Sequence, residues 1–430
     1  MTNEIVPQRY YRLPWTLTDN GISWLEVTSR CNLACEGCYR DKSEGHKSLD
    51  EISTDLAVFK QLRNSDCISI AGGDPLVHPQ IVDIVRMISK RGWKPIINTN
   101  GVALDRELLR ELKKAGVAGF TFHIDTSQKR KGVRARTEAD LNPVRQFYAE
   151  MLAREGGLSC SFNQTVTSDT LDHIPEVVKW AQRHPDIVHT VVFILYREPR
   201  LFGEFEFYAH ARQVNLAATY EKATAWGGDR ALRAAEVAAK IQEADPEYEP
   251  SACLNGTEDA ASTKWLLATR IANKERGFGY VSPKFMEFVQ QGHRLVHGTW
   301  LSYSHPKFLG AGRLSAALAG FFDKRMFAIA TRQALSDLRK PSSLLKKNYL
   351  QTFTIIQPID VTSDGRMSMC DGCPDMTVYK GKLLWSCRLE EWKQFGCFVS
   401  AKPRKQQTGI VSSVGPASRA IKSNPEQLVV

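Results

Sequence analysis

Thr28-Ser29-Arg30-Cys31-Asn32-Leu33-Ala34-Cys35-Glu36-Gly37-Cys38-Tyr39 stands between a β-prone run, Ile22 to Thr28, and a helical pattern that starts at Leu49. Its three cysteines are spaced C-x3-C-x2-C. Three thiolates from one short loop can each hold one iron of a [4Fe-4S] cube and leave the fourth iron open to an exogenous ligand. Two other readings compete. A closed zinc site needs a fourth protein ligand, for which His46 is near enough in sequence. A disulfide framework suits a small secreted domain, and a 430-residue chain without a secretory signal is not one.

Working outward from that loop, β-rich runs alternate with helical patterns through the first half of the chain. The strands are expected at Ile22 to Thr28, Cys67 to Ala71, Pro95 to Thr99, Val117 to Asp125, Leu158 to Val166 and Val188 to Leu195. Helices are expected at Leu49 to Leu62, Gln80 to Lys90, Asp105 to Ala115, Leu141 to Arg154 and Pro175 to Arg183. Such alternation reads as βα units around a parallel sheet, and periodicity alone leaves an open sheet and a barrel equally compatible. From Phe207 to Ala244 the pattern is helical and alanine-rich. Beyond Pro250 follow three amphipathic helical patterns, Lys264 to Arg276, Pro283 to His297 and Arg313 to Leu338. The tail after Ala401, rich in Ser, Lys and Pro, lacks an apolar pattern and reads as disordered.

Composition bounds the function. The chain is long enough for one large core plus an appendage. No run of 18 uncharged apolar residues is present, and Met1 to Asn20 carries charges and prolines where a secretory signal needs an apolar stretch. A cytoplasmic location is therefore expected. Ten cysteines fall into two groups, Cys31/Cys35/Cys38 and Cys370/Cys373/Cys387/Cys397, with Cys67, Cys160 and Cys253 scattered. Cys67 and Cys160 lie in apolar runs, as buried thiols do. The formal net charge of +10 is concentrated: Ser262 to Lys347 holds 15 Lys/Arg against 4 Asp/Glu, so 15 − 4 = +11 sits there. A localised basic surface points to an anionic partner.

The cysteine loop, placed after strand one, resembles the radical S-adenosylmethionine (SAM) superfamily. That resemblance implies a partial (β/α)6 barrel over residues 21–206, with active-site loops at the strand C-terminal ends. Cys31, Cys35 and Cys38 become the catalytic and metal-binding set for a SAM-binding [4Fe-4S] cluster. After strand two, Gly72-Gly73-Asp74-Pro75 resembles the superfamily's G-G-E-P motif with Asp replacing Glu, and implies contact with the methionine moiety of SAM. Asn98-Thr99-Asn100-Gly101 is similar to the T-N-G end of strand three in many members. Strand four ends His123-Ile124-Asp125 and strand five carries Asn163-Gln164-Thr165. The resemblance therefore nominates Asn98, His123, Asp125, Asn163 and Thr165 for the SAM carboxylate and ribose; capping of helices and loops is the competing reading for each. Members commonly carry an aromatic residue before the third cysteine. This chain has Gly37 there, with Tyr39 following, and Tyr39 is counted among the cofactor-binding candidates.

Near the other end, Cys370-Asp371-Gly372-Cys373 precedes Met376 to Cys387, two β-prone runs around a Lys380-Gly381 turn. The arrangement resembles the auxiliary-cluster extensions of the superfamily, called SPASM and twitch domains, without their full cysteine order. Cys370, Cys373, Cys387 and Cys397 are the expected ligands of a second [4Fe-4S] cluster over residues 351–400, with a zinc ribbon as the alternative. The fold expected overall is α/β: the partial barrel after a 1–20 extension, a helical, basic and aromatic region at 207–350, a small cysteine-rich hairpin extension, and a disordered tail at 401–430.

The resemblance implies reductive cleavage of SAM and hydrogen abstraction from an unreactive C–H bond, fed by a flavodoxin- or ferredoxin-type electron donor. Basic amphipathic helices with Trp265, Phe285, Phe288, Trp300, Tyr303, Phe308 and Phe321/Phe322 suit an amphipathic substrate such as a lipid, and peripheral contact with an anionic inner membrane face. Modification of a ribosomal peptide is the alternative within the same chemistry. A non-catalytic iron–sulfur or zinc protein bound to nucleic acid is the alternative of another class, and it leaves Gly72 to Pro75 unexplained.

Overall fold

A computed structural model describes residues 5–38, 40, 45–196, 204–220, 232–260 and 262–404. After a two-residue strand, β1 (Tyr11–Arg12), six strands alternate with five helices: β2 (Ile22–Thr28), α1 (Leu49–Leu62), β3 (Cys67–Gly72), α2 (Ile81–Lys90), β4 (Lys94–Thr99), α3 (Arg106–Ala115), β5 (Gly119–His123), α4 (Asn142–Glu155), β6 (Ser159–Val166), α5 (Ile174–Arg183) and β7 (Thr190–Leu195). Strands β2 to β7 pair in chain order and all in parallel, as the βα alternation requires. Local chemistry sets the helix ends. Ser48 and Glu51 form a capping box on α1, Asp105 caps α3 by accepting from the Leu108 amide, and Gly116 ends α3 at φ 103°.

The sheet has two unlike faces. Along β6 the residues Ser159, Ser161, Asn163 and Thr165 face a cavity, while Cys160 and Phe162 are buried on the other side, Phe162 edge-on to Trp180 of α5 at 5.6 Å. On β5, Thr121 and His123 face the cavity and Phe122 stacks on Tyr148 of α4 at 4.7 Å. Apolar side chains seal the helix layer, and small polar ones line the lumen.

The chain then adds β8 (Phe205–Ala209), β9 (Arg212–Val214), α6 (Leu216–Thr219), α7 (Ala234–Ala244), β10 (Ala252–Asn255), β11 (Thr263–Ala272), β12 (Gly277–Tyr280), α8 (Pro283–His297), α9 (Pro306–Leu309), α10 (Gly312–Ala319), α11 (Lys324–Arg339) and β13 (Tyr349–Ile356). Short strands β14 (Asp360–Val361) and β15 (Met367–Ser368) precede the hairpin β16 (Met376–Tyr379) and β17 (Lys382–Trp385), then α12 (Leu389–Phe395) and β18 (Ser400–Pro403). Strand β13 joins β7 in parallel, and β11, β10 and β1 extend the sheet beyond it.

Four expectations are corrected here. The Lys264 to Arg276 helix is instead β11, a strand between β10 and β13 whose burial on both faces hides the alternation that marks a strand. The helical reading from Phe207 fails at its start, where Phe205, Phe207 and Ala209 alternate inward in a hairpin with β9. The single helix Arg313 to Leu338 is two, broken at Gly320 to Asp323, where Asp323 caps α11 by accepting from the Met326 amide. Strand β18 carries order past Ala401 by pairing with β8; residues 405–430 of the tail lie outside the described residues. The hairpin around Lys380-Gly381 and the helix Pro283 to His297 stand as expected.

The C-terminal cysteine loop is fastened to the barrel by the N-terminal segment and by α1's end. Asn20 donates its amide to the carbonyls of Gly372 and Cys373 at 3.0 and 3.4 Å, and Arg12 pairs with Asp371 at 2.8 Å. A Cβ on residue 372 would lie 2.3 Å from the Trp15 carbonyl oxygen, so glycine is required between the two cysteines. Arg63, 2% exposed, donates to the carbonyls of Ile22 at 2.7 Å, Cys373 at 2.8 Å and Leu17. Replacing it leaves several buried carbonyls unpaired, each orphan costing about 1–3 kcal/mol. Arg63→Met is therefore expected to lower unfolding free energy by at least about 3 kcal/mol in denaturant titration; a loss below about 1 kcal/mol would show that the clamp does not hold the two parts together.

Candidate active site

The cavity enclosed by the sheet's polar face and the helices α8 to α10 has a volume of about 1270 Å³. Cys31, Cys35 and Cys38 border it at the C-terminal ends of the strands, and Cys370, Cys373 and Cys387 border it from the extension. Both cysteine groups therefore reach one space. Cys397 does not: Gly396, at φ 71°, turns the chain after α12, and Cys397 packs with Phe205, Phe207 and Val399 in a separate apolar cluster. It is removed from the ligand set expected from the sequence.

The first loop is built by close backbone contact. A Cβ on Gly72 would lie 2.0 Å from the Thr28 carbonyl oxygen, and one on Gly73 would lie 2.1 Å from that of Arg30. Gly72 also holds φ 126°, a conformation closed to most residues. The two glycines line the cavity, and their missing side chains make room for the segment leading into Cys31. Asp74 and Pro75 lie behind that wall, not among the residues facing the cavity. The buried Asp74 carboxylate accepts from the Leu76 and Asn100 amides at 2.9 and 2.8 Å and from the Thr99 hydroxyl at 2.9 Å. Burial raises its pKa while these donors lower it, and burial prevails. Its place is thus to tie the end of β3 to the end of β4.

That tie positions Asn100, which the sequence reading passed over in favour of Asn98. The Asn100 amide donates to Asn32 Oδ1 at 2.7 Å and lies 3.7 Å from Cys31 Sγ, which the Leu33 amide also approaches at 3.4 Å. Two N–H groups thus approach this one sulfur. Asn98 lines the cavity and donates to Ser69 Oγ at 2.6 Å.

Around the next strand ends, His123 and Thr165 face the cavity and Asp125 sits beneath them. Asp125 takes His123 Nε2 at 2.7 Å, the Thr165 amide at 3.1 Å and the Ser127 hydroxyl. Burial works to raise the Asp125 pKa, but these partners, His123 foremost, hold it well below the usual carboxylate range. For His123 burial lowers the pKa and Asp125 raises it, and Asp125 prevails. Asn163 also faces the cavity, with a buried amide oxygen that has no hydrogen-bond partner. An unpaired buried acceptor suits a donor on a ligand. Tyr39 lies outside the described residues.

The donor chemistry fits the iron cube read from the sequence. Three thiols of one loop share a cavity, while His46, the zinc alternative's fourth ligand, is off the cavity wall with Nδ1 2.9 Å from Thr28 Oγ1 and its ring against His78. Among the described residues no three His, Cys, Asp or Glu side chains converge to metal-ligand distance, so ligation requires the thiols to turn toward one another. Each of the three cysteines borders open volume. In the second group Cys370 and Cys373 lie in side-chain contact, and that contact together with burial pushes the Cys373 thiol well up.

Residues 25–181 match the family model described as the radical SAM superfamily. A tungsten-containing aldehyde ferredoxin oxidoreductase cofactor-modifying protein of Pyrococcus furiosus is 40% identical over 109 residues, 24% of this chain and 30% of that protein. An AdoMet-dependent heme synthase of Nitratidesulfovibrio vulgaris is 26% identical over 227 residues, 50% of this chain and 58% of that one. Among solved structures, Streptococcus suis SuiB bound to precursor peptide SuiA covers 43% of this chain and 41% of its own at 16% identity and a TM-score of 0.34. The chain thus spans between about a third and somewhat over half of these curated relatives. Residues 25–181 thus carry a radical SAM domain, of a family whose members use a [4Fe-4S] cluster and SAM.

The His123–Asp125 pair has a pH signature. A histidine whose folded pKa is raised stabilises the fold fully below its unfolded value of about 6.5 and loses that contribution as pH rises through the folded value. In NMR titration His123 is expected to titrate above about 6.5, and in Asp125→Asn below it, because burial, the largest influence on it, is then no longer outweighed. Equal midpoints in the two proteins would exclude the pairing.

Proposed function

We propose that this enzyme abstracts a hydrogen atom from an unreactive C–H bond of an amphipathic substrate, lipid-like in having a long apolar part, held in the cavity that both cysteine groups border. One observation carries the reading: the polar strand ends and the Cys31 loop form one end of that cavity, while Phe285, Val289, Phe308 and Leu318 of the helical region give it an apolar wall.

When bound at Cys31, Cys35 and Cys38, the cluster and SAM would supply a 5′-deoxyadenosyl radical. The chain's own residues do the rest. Asn100 and the Leu33 amide stabilise charge on Cys31, and hydrogen bonds to cluster sulfurs shift reduction potential. Asn163, His123, Asn98 and Thr165 offer acceptors and donors where the SAM carboxylate, ammonium and ribose would lie. The apolar wall excludes water, which protects a carbon radical from side reactions. Cys370, Cys373 and Cys387 would hold an auxiliary cluster across the cavity, with residues 21–206 serving SAM, 207–350 the substrate and 351–400 the second cluster. A flavodoxin or ferredoxin would provide the electron.

A second reading has a specific observation behind it. The heme synthase relative spans half of this chain, and a tetrapyrrole is also a broad apolar body with carboxylate edges. Comparative mass spectrometry of lipid, tetrapyrrole and peptide extracts from cells with and without the gene separates these substrates.

Two cubes of four irons predict about eight irons per chain after anaerobic reconstitution, falling to about four in Cys370→Ser/Cys373→Ser. About four irons with zinc in the wild type would remove the second cluster. Cys35→Ser is expected to abolish 5′-deoxyadenosine formation from SAM; production at the wild-type rate would remove the assigned loop.

A further inference from the structure

We propose that the outer face of α8, α10, α11 and the turn Pro341–Leu345 docks on an anionic lipid bilayer, and that the substrate cavity opens onto this face. Its basis is surface chemistry and shape, independent of the iron–sulfur reading, so either can fail alone.

The chain's exposed large apolar side chains are not scattered. Of the fifteen among the described residues, only Val102 and Phe147 lie elsewhere; the other thirteen fall between Phe288 and Leu345. Phe321 and Leu345 are each 90% exposed and Leu295 86%. Single exposed apolar residues are ordinary, whereas a concentration of this kind marks an interaction site. Helix α11 carries apolar side chains outward as well as inward. Its buried side carries Gln333 and Ser336 beside Met326 and Ile329, and its outward side carries Phe327, Leu335 and Leu338. The outward residues therefore support no core. The helices rest on a small cluster of their own, Ile271, Phe278, Phe285, Ala316, Met326 and Ile329, and Phe288 of α8 meets Phe322 after α10 at 5.2 Å, which joins the outward faces.

Charge selects the occupant. The segment from Ser262 to Lys347 carries +11. Several cations there are neutralised, Arg294 by Asp19, Arg325 by Glu249 and Arg332 by Glu247 among them. Lys284, Lys307, Lys324, Arg339 and Lys347 are exposed and make no ion pair with described residues. Exposed apolar side chains interspersed with unpaired cations on the same helices are the composition of a helix layer lying in a lipid interface. A nucleic-acid footprint instead sets its cations densely along a groove. No helix among the described residues is long and apolar enough to cross a membrane, so this layer lies on the bilayer plane.

The cavity meets the same face. Val296, Phe308, Leu314 and Leu318 border the cavity and are also among the exposed apolar residues. An apolar substrate could pass from the bilayer to the cavity along them without entering water.

The test uses the full-length protein, in flotation with vesicles of phosphatidylcholine alone or mixed with phosphatidylglycerol. The expected result is association with the anionic vesicles at low salt, weakened by high salt, with little on phosphatidylcholine. Phe321→Ser/Leu345→Ser should reduce association by about tenfold or more, since each removes exposed apolar area, with the melting temperature unchanged. Lys284→Glu/Lys324→Glu should reduce it on anionic vesicles. A wild-type protein that stays unbound on both vesicles overturns the proposal, as does equal binding by the apolar double variant. Concentration-dependent dimerisation lost in that variant, without vesicle binding, would assign the face to a second copy, and retention on RNA instead of vesicles would assign it to nucleic acid; either overturns it.

Discussion

The Arg30 carbonyl lies where a side chain on residue 73 would begin, and the whole site depends on that crowding. Because Gly72 and Gly73 have no side chains, the segment leaving β2 presses directly on the end of β3. Asp74, next in line, turns away from the cavity and collects three donors, so the ends of β3 and β4 move as one piece. Asn100 is carried along and reaches back to Cys31. A chain of short contacts therefore runs from two glycines to the sulfur of the first cysteine.

The second half of the molecule solves a different problem, that of closing a barrel of six parallel strands. Strand β13 pairs beside β7, β11 continues the sheet in the reverse direction, and β10 turns back to the direction of β7. On the other flank the β16/β17 hairpin lies against β2. The hollow between is lined by hydroxyls and amides of β3 to β6, a costly choice for a core and an ordinary one for a binding site. Ser161 and Asn163 keep buried polar atoms without partners there.

Much of this was legible in sequence for a physical reason. The β2 and α1 bounds follow from local signals: apolar strand runs, a Ser48 cap, turn residues between them. The cysteine loop was legible because its ligands are adjacent in the chain. What stayed hidden depends on distant partners. Strand β11 has no alternation to read because both of its faces are largely buried, and its partner β13 lies far along the chain. The place of Asp74 depends on Thr99 and Asn100, and the exile of Cys397 depends on the turn at Gly396 and on β8. The outward apolar residues of α11 were also beyond a pattern reading, since the period alone does not tell which apolar side chains of a helix face the core.

The fastening of Asp371 and Gly372 by Arg12 and Asn20 bears on the timing of biogenesis. These partners stand 359 and 352 residues apart. During synthesis the contacts around the first cysteine loop become available once the opening hundred residues have emerged, whereas the strap must wait for a segment made nearly three hundred residues later. The first cysteine loop can thus take shape on a nascent chain, whereas the second cysteine group is fixed in place only after the later segment has been made.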